Sequence, residues 1–246
     1  LGDPDYVDIP IARLTSAAYL DNLASSISMA HATPSSELGL PKQTGSGTHT
    51  THFSIIDRQG NKVAATLSIN LPFGSGVTVA GTGVLLNNEM DDFSAKPGSP
   101  NAYGLIGSEA NAIAGGKRPL SSMTPTFMEY GPKDNRQFAL IGTPGGSRII
   151  TMVFLGLLEA LQQRGPQAWV DRPRFHHQFA PDVVQHETDA FDSAALADLK
   201  QRGHQLKDVG RHYGDMHAIR WYMHNGNVEA ASDQRRLGKA MLGKAQ

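Results

Sequence analysis

The chain has 246 residues and a formal net charge of −1, and 39% of its residues are hydrophobic against 18% charged. This balance predicts a soluble globular protein of one large or two small domains, without a field that would attract nucleic acid or an anionic membrane. Because cysteine is absent, disulfides, thiolate nucleophiles and cysteine-ligated metal centres are excluded. The longest apolar run, residues 149–158, is too short to span a membrane.

The beginning of the chain predicts a helix followed by a linker. Residues 1–28 combine turns with one helical pattern, for which Thr15 or Ser16 is the expected N-cap. Residues 32–48 are rich in Pro, Ser, Gly and Thr, a composition typical of a linker.

Beyond the linker the pattern is that of strands followed by helices. Runs of β-branched and apolar residues predict strands or extended segments at 53–57, 62–69, 77–80, 83–86, 138–142 and 218–223. A hairpin turn is expected at 58–61. Helical patterns cover about 148–163 and 192–202, the second capped by Asp192. This order fits a packed sheet–helix domain whose first strand begins at the linker.

Thr50 lies where the linker meets the first predicted strand, in the run TTHFS at 50–54. A threonine hydroxyl is a poor nucleophile unless a base lies beside it. The residue's own α-amino group is such a base once the preceding peptide bond is cut. Two β-prone threonines at the start of a strand give the same run, so the local pattern leaves both interpretations open.

An acidic turn, NNEMDD at 87–92, follows the strands. Glu89 and Asp92 are three residues apart and would share one side of a helical turn. Carboxylates suit an ammonium group, which offers three donors and no acceptor. A solvated turn or a calcium loop has a similar composition, although the regular alternation and central glycine of an EF-hand are missing.

The run PGGS at 144–147 separates a predicted buried strand from a predicted helix. Glycines allow backbone amides to approach a ligand, and two such N–H groups at a helix N-terminus suit a tetrahedral oxyanion. A tight turn without a ligand is the alternative. A nucleotide-phosphate loop is disfavoured because no Gly-Lys-Ser/Thr follows.

Three histidines raise the question of a metal. His176 and His177 are adjacent, so their side chains point apart on a helix or a strand and seldom share an ion. No Glu-x-x-His motif accompanies them or His52. We expect these histidines to be structural.

Seven segments of the chain occur in a recognisable order. They are LGDPDYV (1–7), PSSE (34–37), TTHFS (50–54), NNEMDDF (87–93), KRPLSSM (117–123), PGGSRII (144–150) and PRFHHQ (173–178). In this order and at these separations the chain resembles the gamma-glutamyltranspeptidase family over almost its whole length. The resemblance implies an α+β fold, a four-layer αββα sandwich of the N-terminal nucleophile hydrolase type.

The resemblance also implies two parts. Residues 1–49 would be the C-terminal tail of a large subunit with its processing linker, and residues 50–246 the catalytic small subunit. Thr50 would be the nucleophile, exposed when its own hydroxyl cuts the His49–Thr50 bond. A large-subunit chain of the same precursor would complete the sandwich and supply an arginine for the donor's α-carboxylate.

Roles around the nucleophile follow from the same resemblance. Ser68 stands where the family commonly has a threonine that hydrogen-bonds the new terminus. Gly145 and Gly146 match the oxyanion hole. Tyr103, in the loop 97–107, matches a flap that some members place over the donor pocket.

The donor site is implied in the same way. Asn70, Glu89 and Asp92 match the positions that hold the α-ammonium group of a γ-glutamyl donor. Ser121 and Ser122 match those that bind its α-carboxylate. Two neutral hydroxyls are a modest anion site, which agrees with the need for the large-subunit arginine.

The implied reaction is a two-step acyl transfer. A γ-glutamyl compound such as glutathione would acylate Thr50, and water, an amino acid or a peptide would then take the glutamyl group. The resemblance implies no cofactor and no catalytic metal, and the implied compartment is the periplasm or the exterior. Two rivals remain. A glutaryl or cephalosporin-type acylase of the same fold needs no ammonium site, and a non-catalytic binding protein needs neither Thr50 nor the glycine pair.

Overall fold

A computed structural model describes residues 1–38, 50–99, 101 and 105–243. Its α-helices are α1 (Ile11–Leu14), α2 (Ala17–Ser25), α3 (Ile149–Leu161), α4 (Pro166–Asp171) and α5 (Ser193–Gln201). Its strands are β1 (Thr50–Ile56), β2 (Lys62–Ser68), β3 (Thr126–Tyr130), β4 (Gln137–Gly142), β5 (Phe175–His176), β6 (Val184–His186), β7 (Leu206–Asp208), β8 (His217–Tyr222) and β9 (Val228–Ser232). None of the helices in these ranges is long and apolar enough to cross a bilayer. Tyr103 and His49 lie outside the described residues.

The predicted hairpin and the predicted helices are present. β1 and β2 pair antiparallel over their whole length, with Thr50 opposite Ser68. The side chains of Ser16 and Asp192 cap α2 and α5, because each accepts a hydrogen bond from the backbone amide three residues on.

The two segments predicted to be extended after the hairpin form no regular strand. Residues 77–80 and 83–86 meet in a single antiparallel bridge between Thr78 and Leu85. Their valines are more than a third exposed. Since a pair of extended segments needs an apolar surface to pack against, this pair stays irregular.

The core lies between α3, α4 and one face of a four-stranded antiparallel sheet in the order β3-β4-β8-β9. α3 is almost entirely apolar, so burying it against the sheet is strongly favoured. Ile141 of β4 and Trp169 of α4 are fully buried in this core. Gly156 allows the close approach of α3, because a Cβ there would lie 2.6 Å from Ile141 Cδ1.

The β1–β2 hairpin packs on the other face of this sheet. The ammonium group of Lys62 lies over the rings of Phe138 and Trp221, 4.9 and 4.4 Å from their centroids. The ring of His52 is buried against Gly142, where a Cβ would come within 2.2 Å of it. Helices, sheet and hairpin form three successive layers, which confirms the α+β class.

The outer face of the hairpin is apolar and open to solvent within the described chain. Its side chains alternate along the two strands and are between 41% and 53% exposed: Phe53, Ile55, Val63 and Leu67. A fourth layer of a sandwich would cover this face.

A buried ionic network joins the end of β9 to residues next to β5 and β6. Arg174, which is 1% exposed, pairs with Asp233, and Arg235 bridges Asp233 and Glu187. Burial by itself would raise the pKa of both carboxyl groups, yet the neighbouring arginines bring both below their usual range. We call these four residues the arginine–carboxylate network.

The N-terminal segment is fastened by two ion pairs of one arginine. Arg118 contacts both Asp3 and Asp5, and Asp3 is 4% exposed. Gly2 sits directly on the carbonyl of Ala110, where a Cβ would lie 2.0 Å from the oxygen. α1 and α2 bury no residue of their own in the described chain.

Candidate active site

A cavity of about 420 Å³ opens at the Thr50 end of the hairpin. Eight of the predicted site residues line it: Thr50, Ser68, Asn70, Glu89, Asp92, Ser121, Ser122 and Gly146. Gly145 lies beside a second, narrow gap that Thr50 also lines. We call the larger space the donor cavity.

Thr50 is the first residue of β1, and the ladder holds it opposite Ser68. Its hydroxyl donates to Ser68 Oγ at 3.1 Å. Ser68 Oγ also accepts from the Asn70 amide at 2.8 Å. The hydroxyl of Ser68 thus contacts the predicted nucleophile even without the methyl group of a threonine.

Glu89 and Asp92 lie on one 3₁₀ turn, as their spacing predicts. Burial, together with the charge of Glu89, raises the pKa of Asp92 to about 7. Glu89 Oε1 is buried and has no hydrogen-bond partner in the described part of the chain. Two adjacent carboxyl groups that form no ion pair within the described ranges favour a positively charged ligand.

Asn70 joins the end of β2 to this acidic turn. It is 2% exposed and has a left-handed backbone with φ of 67°, which asparagine tolerates better than most residues. Its Nδ2 donates to the carbonyl of Asn88 at 3.1 Å, and the Leu71 amide donates to Asn88 Oδ1 at 3.0 Å. The side-chain amide of Asn70 is therefore fixed next to the turn that carries the two carboxyl groups.

Asn111 organises the cavity, although no sequence pattern indicates it. Its side chain donates to the Asp92 carbonyl at 2.8 Å and accepts from the Leu120 amide at 3.0 Å. It thereby holds the acidic turn against the segment that carries Ser121 and Ser122. A lone asparagine has no informative spacing, and only its burial among backbone polar groups identifies it.

Gly145 and Gly146 form the turn between β4 and α3. Their φ values are 154° and 59°, and a Cβ on Gly145 would lie 2.2 Å from Met152 Cε. Neither N–H donates to an acceptor among the described residues. Two such amides at the start of a helix are suited to bind an oxyanion.

The histidines have polar neighbours. His52 contacts Thr66 Oγ1 at 2.8 Å and Ser54 Oγ at 3.0 Å, and burial together with His217 lowers its pKa to about 4. His176 contacts Thr151 Oγ1 at 2.8 Å.

One group of possible metal ligands is present elsewhere. Glu187, Asp189 and His212 bring three ligand atoms within 4.8 Å of one another. The oxygens of Glu187, however, already accept hydrogen bonds from Arg235 and from two backbone amides. These donors compete directly with an ion.

The sequence matches one protein family along nearly its whole length. The gamma-glutamyltranspeptidase family model matches residues 1–243. The chain is 44% identical over 250 residues to a glutathione hydrolase proenzyme of Pseudomonas aeruginosa, covering 99% of this chain and 43% of that protein. It therefore spans less than half the length of this relative.

Solved structures give the same picture. Gamma-glutamyltranspeptidase from Pseudomonas nitroreducens is 43% identical with a TM-score of 0.71, over 79% of this chain and 100% of that one. Cephalosporin acylase from Bacillus halodurans has a TM-score of 0.75 at 21% identity, over 100% of this chain and 42% of that one. These likenesses confirm an α+β fold of the N-terminal nucleophile hydrolase type. The chain belongs to the gamma-glutamyltranspeptidase family.

Proposed function

We propose that this chain carries the nucleophile and the donor pocket of an enzyme that transfers or hydrolyses the γ-glutamyl group of glutathione and related compounds. One observation carries the proposal: the hydroxyl of Thr50 and the acidic pair Glu89–Asp92 line the same cavity. A γ-glutamyl donor has a scissile carbonyl at one end and an α-ammonium group at the other, so it needs both.

The two charged groups on the donor's α-carbon would bind on two sides of the cavity. Asn70, Glu89 and Asp92 take the ammonium group, which relieves the mutual repulsion of the carboxylates. Ser121 and Ser122 take the α-carboxylate. The Asn111 bridge supports this division because it sets the spacing between the two segments.

The chemistry would run through an ester on Thr50. The hydroxyl attacks the γ-carbonyl, the neutral α-amino group accepts the proton, and the N–H groups of Gly145 and Gly146 stabilise the oxyanion. The leaving amine takes the proton as the tetrahedral intermediate collapses. Water, an amino acid or a peptide then attacks the ester and regenerates the hydroxyl.

Maturation would use the same hydroxyl. Thr50 Oγ attacks the carbonyl of His49, the amide becomes an ester, and water hydrolyses it to free the α-amino group. The word "proenzyme" in the name of the P. aeruginosa relative supports this step. The share of this chain that the P. nitroreducens structure covers agrees with a boundary before residue 50.

A large-subunit chain from the same precursor is the proposed partner. We assign residues 1–49 to its C-terminal tail and linker, and residues 50–246 to the catalytic subunit. The uncovered apolar face of the β1–β2 hairpin supports a further layer contributed by that partner. We also propose a periplasmic or secreted location.

The first test concerns the nucleophile, in full-length protein that includes the large-subunit region. Thr50→Ala should leave the protein uncut and inactive, whereas Thr50→Ser should retain part of both activities. Thr188→Ala is the matched control, because Thr188 is an exposed threonine outside the hairpin and the donor cavity. Spontaneous cleavage of Thr50→Ala protein before residue 50, seen by mass spectrometry, would rule out self-processing by this hydroxyl.

The second test concerns the donor. Glu89→Gln and Asp92→Asn should lower kcat/KM for a γ-glutamyl anilide by at least about a hundredfold, on the order of 3 kcal/mol, and spare the glutaryl anilide, which lacks the ammonium group. Asp198→Asn, on the exposed helix α5, serves as the control. Equal losses on both substrates would make the two carboxyl groups structural. A wild type that prefers the glutaryl compound would favour the acylase.

A further inference from the structure

A narrow gap, too small for water, lies beside Thr50 and apart from the donor cavity. It is lined by Thr50, Pro144, Gly145, Gly214 and Arg236. Thr50 lines both spaces, so the nucleophile has the acidic donor cavity as one neighbour and an arginine as another. Neither the sequence motifs nor the proposed mechanism assigns a task to Arg236.

Arg236 is exposed, and its two neighbouring segments of chain are packed on either side of it. Arg235, directly before it, belongs to the arginine–carboxylate network, and its side chain is 10% exposed. Gly238, two residues after it, packs so tightly that a Cβ would lie 2.2 Å from His217 Cε1 and 3.1 Å from Asp215 Oδ1. These two contacts fix the backbone of Arg236 beside the gap that Thr50 also lines.

Asp215 supplies a negative charge next to the same gap. It directly follows Gly214, and its amide donates to Thr143 Oγ1 at 3.1 Å. Its Oδ1 is buried without a hydrogen-bond partner in the described chain and lies 3.8 Å from His217 Nε2. Burial raises the pKa of Asp215, and the nearby charges of His217 and Arg236 oppose that rise.

Other charged groups surround Thr50 on two sides. Those that share the donor cavity with it are Glu89, Asp91, Asp92 and Lys96. Those behind Asp215 are the ion pair of Arg174 with Asp233 and the stacked rings of His52 and His217. The paired arginine and aspartate largely cancel, which leaves Arg236 and Asp215 as the opposed charges at the gap.

We infer that Arg236 is a positioning residue whose guanidinium, balanced by Asp215, sets the protonation state of the Thr50 α-amino group. The inference rests on the proposed function, in which that amine is the base. A fixed cation disfavours a second positive charge close by, so Arg236 favours the neutral amine that accepts the hydroxyl proton. Asp215 acts in the opposite direction, because it favours the ammonium form.

The test is the pH dependence of kcat/KM for a γ-glutamyl anilide, measured on full-length matured protein and normalised to the amount of chain that begins at Thr50. Arg236→Gln should move the acid limb to higher pH by about half a unit or more, since the ammonium form is then less disfavoured. Asp215→Asn should move it to lower pH. Arg236→Lys keeps the charge and should behave as the wild type, as should Lys239→Gln, which removes a positive charge from the same segment.

The outcomes distinguish a failure of this inference from a failure of the proposed function. An active wild type whose acid limb is unmoved by Arg236→Gln, or moved in the same direction by both variants, overturns the role of Arg236 alone. A wild type without activity on the anilide overturns the proposed function and this inference with it. If Arg236→Gln fails to mature, Asp215→Asn carries the test, since its limb must move down.

Discussion

Two pairs of carboxyl groups in the described chain, Glu187 with Asp233 and Glu89 with Asp92, have opposite surroundings. In the arginine–carboxylate network, Glu187 and Asp233 lie against arginines, which bring their pKa values below the usual range. In the donor cavity, Glu89 and Asp92 lie against each other, and the pKa of Asp92 rises to about 7. The first pair forms ion pairs with arginines, whereas the second forms none among the described residues.

This difference distinguishes carboxyl groups that stabilise the fold from carboxyl groups suited to bind a ligand. Removing a carboxylate from water is costly wherever it happens, and a permanent cation offsets the cost. A protein that leaves the cation out retains an unfavourable local charge pattern, which a ligand can relieve on binding. On the proposed function, the donor cavity gives up stability for affinity, whereas the network contributes stability.

The largest expected effect comes from breaking the ion pair of Arg174 with Asp233. Asp233→Asn keeps the shape of the side chain but leaves Arg174 buried beside a neutral amide. We expect the free energy of unfolding to fall by about 3–5 kcal/mol, measured by urea denaturation of the full-length protein. A loss below about 1 kcal/mol would mean that the network contributes little to folding.

Removing a charge from the pair Glu89–Asp92 should raise the free energy of unfolding at neutral pH, in contrast to Asp233→Asn. The pKa of Asp92 in the folded protein, about 7, lies above its ordinary value of 3.8. The folded state therefore binds more protons between these values, and this group's contribution to stability falls as pH rises from about 4 to 7. Asp92→Asn should remove that fall. After allowance for solvent screening, the stability of the variant relative to wild type should rise by about 1–2 kcal/mol between pH 5 and pH 8.

His52 also changes the stability of the protein with pH, so the variant must be compared with wild type at each pH. Burial and His217 lower its pKa from 6.5 to about 4, so its contribution is present above pH 6.5 and is lost as pH falls towards 4. Because both proteins share this opposite trend, the difference between their unfolding midpoints isolates Asp92. A difference that stays constant with pH would show that Asp92 is ionised throughout.

A smaller effect should accompany ligand binding. If the pair holds a proton near pH 7 and an ammonium group replaces it, glutamate binding should release up to about half a proton per site at that pH. Calorimetric titration in two buffers of different ionisation enthalpy measures this number. Asp92→Asn protein should release none, and an equal release from both proteins would locate the proton elsewhere.

The smallest effect is expected at an exposed pair. Asp198 and Arg202 lie one turn apart on α5 and its C-terminus, 2.8 Å from each other, with side chains 55% and 35% exposed. Asp198→Asn should change the free energy of unfolding by no more than about 0.5 kcal/mol. A larger loss would undermine the contrast between buried and exposed pairs.

Local signals were sufficient for part of the fold. The hairpin of β1 and β2, the helix α3 and the Asp192 cap all depend on neighbours within a few residues, so the sequence predicts them. The spacing of Glu89 and Asp92 likewise predicts their common turn. Order along the chain, read through the family resemblance, predicts that the donor-site residues come together.

Long-range contacts were not predictable in this way. The partners Arg174 and Asp233 are separated by 59 residues, and no pattern marks either one. Asn111 is a single asparagine whose role depends on two backbone groups from different segments. The gap beside Arg236 exists only because the C-terminal segment returns to the first residue of β1.

If the proposed function holds, the register of β1 has a practical consequence for building this protein in pieces. The ladder reaches Thr50 itself, so β1 is aligned by β2 from its first residue. A split version, with the first segment supplied on a separate polypeptide, should keep the nucleophile in register. Supplied already cut, such a chain would begin at Thr50 and would need no maturation step.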